Sequence, residues 1–180
     1  MTKPTPYNLP PTISRGYTLV ELIVAVGLFA LVMLLASGAY LMMIGVNRQA
    51  QGIATGIDNL SFALETMTRT IRSGSGYSCG GGDCPGGAEA FSFVGPDGAG
   101  VTYTLENGAI TQQNGVSVPV SLTDPSVVVS SLTFYVFGTA PGDGYQPHVT
   151  IVAQGSVPYA AGKEEKFTVE TGATMRGSDL

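Results

Sequence analysis

The sequence predicts an α+β protein in which one long N-terminal helix precedes an antiparallel β domain. Three observations carry this. Residues 19 to 46 form an apolar run whose only charge is Glu21. Beyond it, Ile53, Ile57, Leu60, Leu64, Met67 and Ile71 recur at spacings of 4, 3, 4, 3 and 4, one stripe of an amphipathic helix. After residue 88 come short alternating runs separated by turn residues, among them Asn107-Gly108, a strong hairpin signal.

Residues 1–16 are polar, mildly basic and broken by four prolines, which forbid a helix there. The 28 residues from Leu19 to Val46 are enough to cross a bilayer core of about 30 Å. Lys3 and Arg15 precede the run, which places the N-terminus on the cytoplasmic side and the bulk of the chain outside. The amphipathic half then runs from 47 to 72 and stops before Ser73-Gly74-Ser75-Gly76. Gly38, Gly45 and Gly52 are seven apart, and Gly56 follows Gly52 at GxxxG spacing. Seven residues is nearly two turns, so these glycines share a face about a quarter turn from the isoleucine stripe. Each costs about 1 kcal/mol of helix propensity, and small residues let helices approach closely. The face is therefore expected to pack against other subunits.

Residues 73–88 read as a Gly-rich connector holding both cysteines, and 89–180 as the β-rich soluble domain. Expected strands are 90–94, 101–105, 109–113, 127–137, 149–154 and 166–171, forming one antiparallel sheet or two small ones against the helix. Cys79 and Cys84 read as a small disulfide ring if the domain is extracytoplasmic, with two free thiols as the alternative. So short a loop stabilises only modestly on the chain-entropy model.

Two ordinary readings of the N-terminal segment leave something unexplained. A secretory signal peptide cut near Ser37-Gly38-Ala39 would have too long an apolar run and a glutamate near its start. A plain single-pass anchor accounts for the length but not for Glu21. A carboxylate at bilayer depth costs roughly 2.5–3.5 kcal/mol on insertion scales, and such residues usually have a task.

Ser14-Arg15-Gly16-Tyr17-Thr18-Leu19-Val20-Glu21-Leu22-Ile23-Val24-Ala25 resembles the prepilin cleavage and methylation motif of the type IV pilin-like family. That motif joins a glycine, an aromatic (usually Phe, here Tyr17), and a hydrophobic stretch with glutamate at the fifth mature position. The resemblance implies a pilin fold, cleavage between Gly16 and Tyr17 by a prepilin peptidase, and N-methylation of Tyr17. It also implies that Glu21 pairs with a neighbouring subunit's new ammonium group and sets register during assembly. The implied partners are other pilin or pseudopilin subunits, the peptidase, an inner-membrane assembly platform and the lipid bilayer. The implied location is the inner or cytoplasmic membrane, then a type IV pilus, type II secretion pseudopilus or related filament. The stretch from Leu64 to Arg72, with the extended runs 131–136 and 148–152, is similar to J-class minor pseudopilins and related minor pilins. It favours a minor subunit over a major one. Gly38 stands where pilins often carry a proline. The competing function is a membrane-anchored extracytoplasmic binding domain that never polymerises, in which Glu21 is replaceable. A third is an enzyme secreted by signal peptidase.

Several chemistries find no footing in the sequence. Formal net charge is −5, and without Lys3 and Arg15 six basic residues face thirteen acidic ones, a net −7. No run of Lys and Arg marks a nucleic-acid surface. Two cysteines and one histidine, His148, do not assemble a zinc site, so no metal and no cofactor is expected. His148 reads as a structural histidine. No phosphate loop or nucleophile elbow occurs, and Asp97, Asp124 and Asp143 sit in turns, where Asp is common for backbone reasons. The chain reads as the substrate of an enzyme rather than as one.

Overall fold

The computed structural model describes residues 16–176, so residues 1–15 of the expected leader lie outside the described residues. The chain divides into two units, up to Gly45 and from Val46. It is α+β, with one helix followed by antiparallel sheets. Helix α1 spans Leu19–Arg72, 54 residues. Its stop is built from side chains. The Ser73 hydroxyl donates to the Thr70 carbonyl at 2.9 Å, and the Tyr77 hydroxyl donates to the Ile71 carbonyl at 2.6 Å. Both satisfy carbonyls that the helix end leaves without intrahelical partners. Gly74 follows because a Cβ there would meet the Val94 carbonyl oxygen at 2.8 Å.

Among the described residues nine strands follow: β1 Ser75–Ser78, β2 Cys84–Ala88, β3 Phe91–Val94, β4 Gly100–Glu106, β5 Ala109–Asn114, β6 Val120–Ser121, β7 Val128–Phe137, β8 His148–Ala160 and β9 Lys163–Thr174. They form two antiparallel sheets, in the orders β1-β3-β4-β5-β6 and β2-β7-β8-β9. The β4–β5 hairpin turns at Asn107 and Gly108, both with positive φ (52° and 78°), as the dipeptide predicts. Residues 73–88 are more than a connector. They supply β1 to the edge of one sheet and β2 to the edge of the other. Both pairings are irregular, with register shifts between Ser75 and Ser78 and between Cys84 and Ala88. Gly-rich edge strands of this kind carry no alternating hydrophobic pattern, so periodicity does not reveal them. The last two strands are also longer than the expected 149–154 and 166–171, since they pair as one hairpin from His148↔Thr174 to Ala160↔Lys163.

The core lies between the sheets and the second half of α1. Leu60, Leu64, Met67 and Ile71 are buried in it, as the stripe predicts, whereas Ile57 is 51% exposed. The buried line runs instead through Gly56 and Ala63. A Cβ at Gly56 would lie 2.6 Å from Val157 Cγ1, so β8 comes against the helix here and leaves room only for a glycine. An aromatic series fills the centre. Tyr77 meets Phe91 edge-on at 5.4 Å, and Phe91, Phe93, Phe134 and Tyr103 stack at 5.5–5.8 Å between centroids. Such pairs contribute about 0.5–1.5 kcal/mol beyond their buried area.

Burial pushes the Tyr77 and Tyr103 hydroxyls up to about 12. Tyr77 gives its proton to the helix end, while the Tyr103 oxygen, enclosed beside the Thr70 side chain, makes no hydrogen bond of good geometry among the described residues. Tyr77→Phe is expected to destabilise the fold by about 1 kcal/mol, and Tyr103→Phe to be neutral or stabilising. Urea unfolding of the two variants measures the contrast.

Candidate functional site

The first turn of α1 is set up by Thr18. Its hydroxyl accepts the Glu21 amide at 3.2 Å, and its carbonyl accepts the Leu22 amide at 3.1 Å. Thr18 is thus the N-cap and Glu21 the third helical residue, the spacing of a capping box. That spacing was legible as Thr-x-x-Glu, and it is the backbone amide of Glu21 that the cap engages. A carboxylate in the first turn also faces the positive end of the helix dipole, worth about 0.3–1 kcal/mol.

Gly16 and Tyr17 precede the helix, both exposed, with Tyr17 at 85%. The three residues of the expected processing and pairing site therefore fall within one short segment around the helix start. From Leu19 onward the run to Gly45 is exposed apart from a partly covered Ile44. This helix is long and apolar enough to cross a membrane, and none of its most apolar window is buried by the protein. So much apolar surface left bare needs a bilayer or other helices to cover it.

The glycine face divides in two. Gly38 and Gly45 have nothing within 4 Å of a built Cβ. Gly52 faces Tyr159, whose Cβ would be 3.0 Å away, and Gly56 faces Val157. The latter two have a reason inside their own chain, so packing between subunits accounts at most for Gly38 and Gly45.

Cys79 and Cys84 are joined as a disulfide with Cα atoms 6.2 Å apart. The ring they close contains Asp83, which sequence reasoning missed. Asp83 Oδ1 accepts the Thr139 hydroxyl at 2.7 Å and the Thr139 amide at 2.9 Å, and Oδ2 accepts the Gly138 amide at 3.2 Å. The ring is thereby tied to the β7–β8 loop. The Thr139 hydroxyl first, then the two amides, hold the carboxyl below its ordinary value of 3.8. A depressed carboxylate contributes fully above the unfolded value and loses its contribution as pH falls through the lower folded value. The protection factors of the Gly138 and Thr139 amides are therefore expected to drop below pH 3.8. Asp83→Asn should flatten that dependence, as hydrogen exchange across the range would show.

His148 pairs across strands with Phe137, and its Nδ1 lies 2.9 Å from the Thr174 hydroxyl, a structural setting. Among the described residues no group of three His, Cys, Asp or Glu could hold a metal ion.

No curated protein and no solved structure matches the chain. A family model, the prokaryotic N-terminal methylation motif, matches residues 12–37. The matched stretch holds Gly16, Tyr17, the Thr18 cap, Glu21 and about the first two thirds of the uncovered apolar run. This chain therefore carries the N-terminal methylation motif of prokaryotes, a type IV pilin-like N-terminus, on an α+β fold of the pilin kind.

Proposed function

We propose that the protein is a structural subunit of a type IV pilus, type II secretion pseudopilus or related filament, with the resemblance of its later segments favouring a minor subunit. In this reading residues 1–16 are a leader removed by a prepilin peptidase. Residues 17–46 are the membrane and assembly half of the helix, 47–72 its amphipathic half, and 73–180 the extracytoplasmic part. The observation that supports it most directly is the methylation motif falling on a capped helix start, with Glu21 in the first turn and an uncovered apolar run behind it.

Cleavage after Gly16 would free an ammonium group on Tyr17, with a reference pKa of about 7.7–8.0. N-methylation keeps it cationic. Before assembly Glu21 sits at bilayer depth near its helix end. Between subunits it gains the ammonium of a neighbour, and each charge offsets the other's desolvation. Gly38 and Gly45 let neighbouring helices close in, and substitution by Leu at either should lower filament yield if that packing holds.

The test is the mass and N-terminal sequence of protein extracted from membranes of a host with a compatible prepilin peptidase. The expected start is Tyr17 with one added methyl group. A start at Met1 would return the chain to a plain membrane-anchored binding domain. A start near residue 39 would make it a secreted protein and end the pilin reading.

A further inference from the structure

Three of the six basic residues outside the first sixteen come together in one concavity. Arg69, Arg72 and Arg176 line a groove of about 390 Å³ together with Glu65. Arg69 pairs with Glu65 at 2.9 Å, and the Arg176 amide donates to the Arg72 carbonyl at 3.0 Å, which brings the chain's late residues to the helix end. Among the described residues, three arginines and one glutamate line this groove, a formal +2. It lies on the outer side of α1, since Leu64, Met67 and Ile71 occupy the inner side.

A second cleft, of about 520 Å³, has the opposite character. Asp83, Asp143, Phe137, Tyr145 and His148 line it, with no Lys or Arg among the described residues. Its two carboxylates give it a formal −2. Tyr145 is 72% exposed and Phe137 46%. Phe137 and His148 face each other across β7 and β8, and their neighbours Val136 and Val149 are fully buried. By strand alternation the cleft therefore opens on the sheet face turned away from the core and the helix. The two sites lie at the same end of the domain on opposite faces. The segment between them is fixed by Met175 N–H donating to the Pro147 carbonyl and Arg176 N–H donating to Arg72.

We propose that the arginine groove of one copy docks into the acidic, aromatic cleft of the next copy. The inference deepens the filament reading and rests on it. A second copy is the occupant because charge matches charge, +2 against −2, and because guanidinium groups are suited to these walls. They stack on Tyr and Phe faces and pair in a planar fork with carboxylates. Asp143 is the carboxylate for that fork, while Asp83, already holding the loop, supplies field. Two different patches on opposite faces make a head-to-tail contact, which propagates along an open assembly rather than closing a two-fold dimer.

The test uses the full chain, expressed with prepilin peptidase and assembly machinery. One tagged copy carries Thr68→Cys in the groove and a second carries Gln146→Cys at the cleft. Bis-maleimide treatment of sheared filaments is expected to give cross-linked pairs only when both are present. Arg72→Glu with Arg176→Glu should cut filament yield about tenfold. Arg72→Glu alone should cut it less, and adding Asp143→Arg in the same chain should recover most of that smaller loss. Asp143 also accepts the Tyr145 amide at 2.8 Å, so the arginine variants, whose side chains face solvent, carry the test if that turn is disturbed. Filaments that form at full yield with both arginines reversed, or that give no 68–146 cross-link, would overturn the docking and leave the filament reading standing. A wild-type chain cut at Tyr17 that never polymerises would overturn both.

Discussion

Glu21→Gln is expected to reduce filament incorporation by about a hundredfold or more while membrane insertion and cleavage continue. In the filament proposed above, the substitution removes the carboxylate that would pair with a neighbour's Tyr17 ammonium. Leaving one half of a buried ion pair uncompensated costs about 3–5 kcal/mol, which is a factor of roughly 10² to several times 10³ in an association constant. Insertion should not suffer, because a neutral amide is easier to place at bilayer depth than a carboxylate. The helix start should survive as well, since the Thr18 hydroxyl binds the backbone amide of residue 21 and not its side chain. The two pools separate the effects. Sheared filament yield should collapse, and N-terminal sequencing of the membrane pool should still begin at Tyr17. If the variant polymerises like wild type, Glu21 serves only its own helix dipole, an effect of about 0.3–1 kcal/mol.

Phe134→Ala should destabilise the β domain by about 3–5 kcal/mol, a large part of the 5–15 kcal/mol that folded domains ordinarily have. Phe134 is fully buried on β7 and stacks on Phe91 with ring centroids 5.5 Å apart. Around it lie Leu132, Val136 and Ile151, on strands that cannot collapse into the space without breaking ladder pairing. The control is Phe137→Ala, three residues along the same strand on the opposite face and half-exposed. Its cost should stay within about 0.5 kcal/mol, the range of surface changes. Urea unfolding of the full chain in detergent, followed by near-UV circular dichroism, compares the two. A drop of under 1 kcal/mol for Phe134→Ala would mean the aromatic series does not hold the two sheets together.

The long elements were legible because each obeys a period over many residues. Six residues at helical spacing located the amphipathic half of α1 and its end at Arg72, and Asn107-Gly108 located a hairpin. Ile57 departs from the stripe because β8 approaches the helix at Gly56, a contact between residues a hundred positions apart that no local pattern encodes. The strands β1 and β2 were hidden in a Gly-rich stretch because irregular edge strands need neither alternation nor bulk. The Gly52 and Gly56 positions have the same lesson. Their spacing marks a face where something approaches closely, and only the fold shows that the approaching strand belongs to the same chain.

What the sequence determined by itself was the N-terminal motif and the order of the chain. Gly16, Tyr17, Thr18 and Glu21 fall within six consecutive residues at the helix start, so their spacing along the chain largely sets their arrangement in space. The apolar run speaks for itself in the same way, since its length and composition set what can cover it. Tertiary structure alone decided the rest. Arg176 joins Arg69 and Arg72 only because β9 delivers it to the helix end, and Asp83 meets Gly138 and Thr139 only because β2 pairs with β7. Charge in the sequence is scattered. Strand pairing over long separations gathers it into two opposed patches, and that gathering is a property of the sheet, which sequence spacing does not carry.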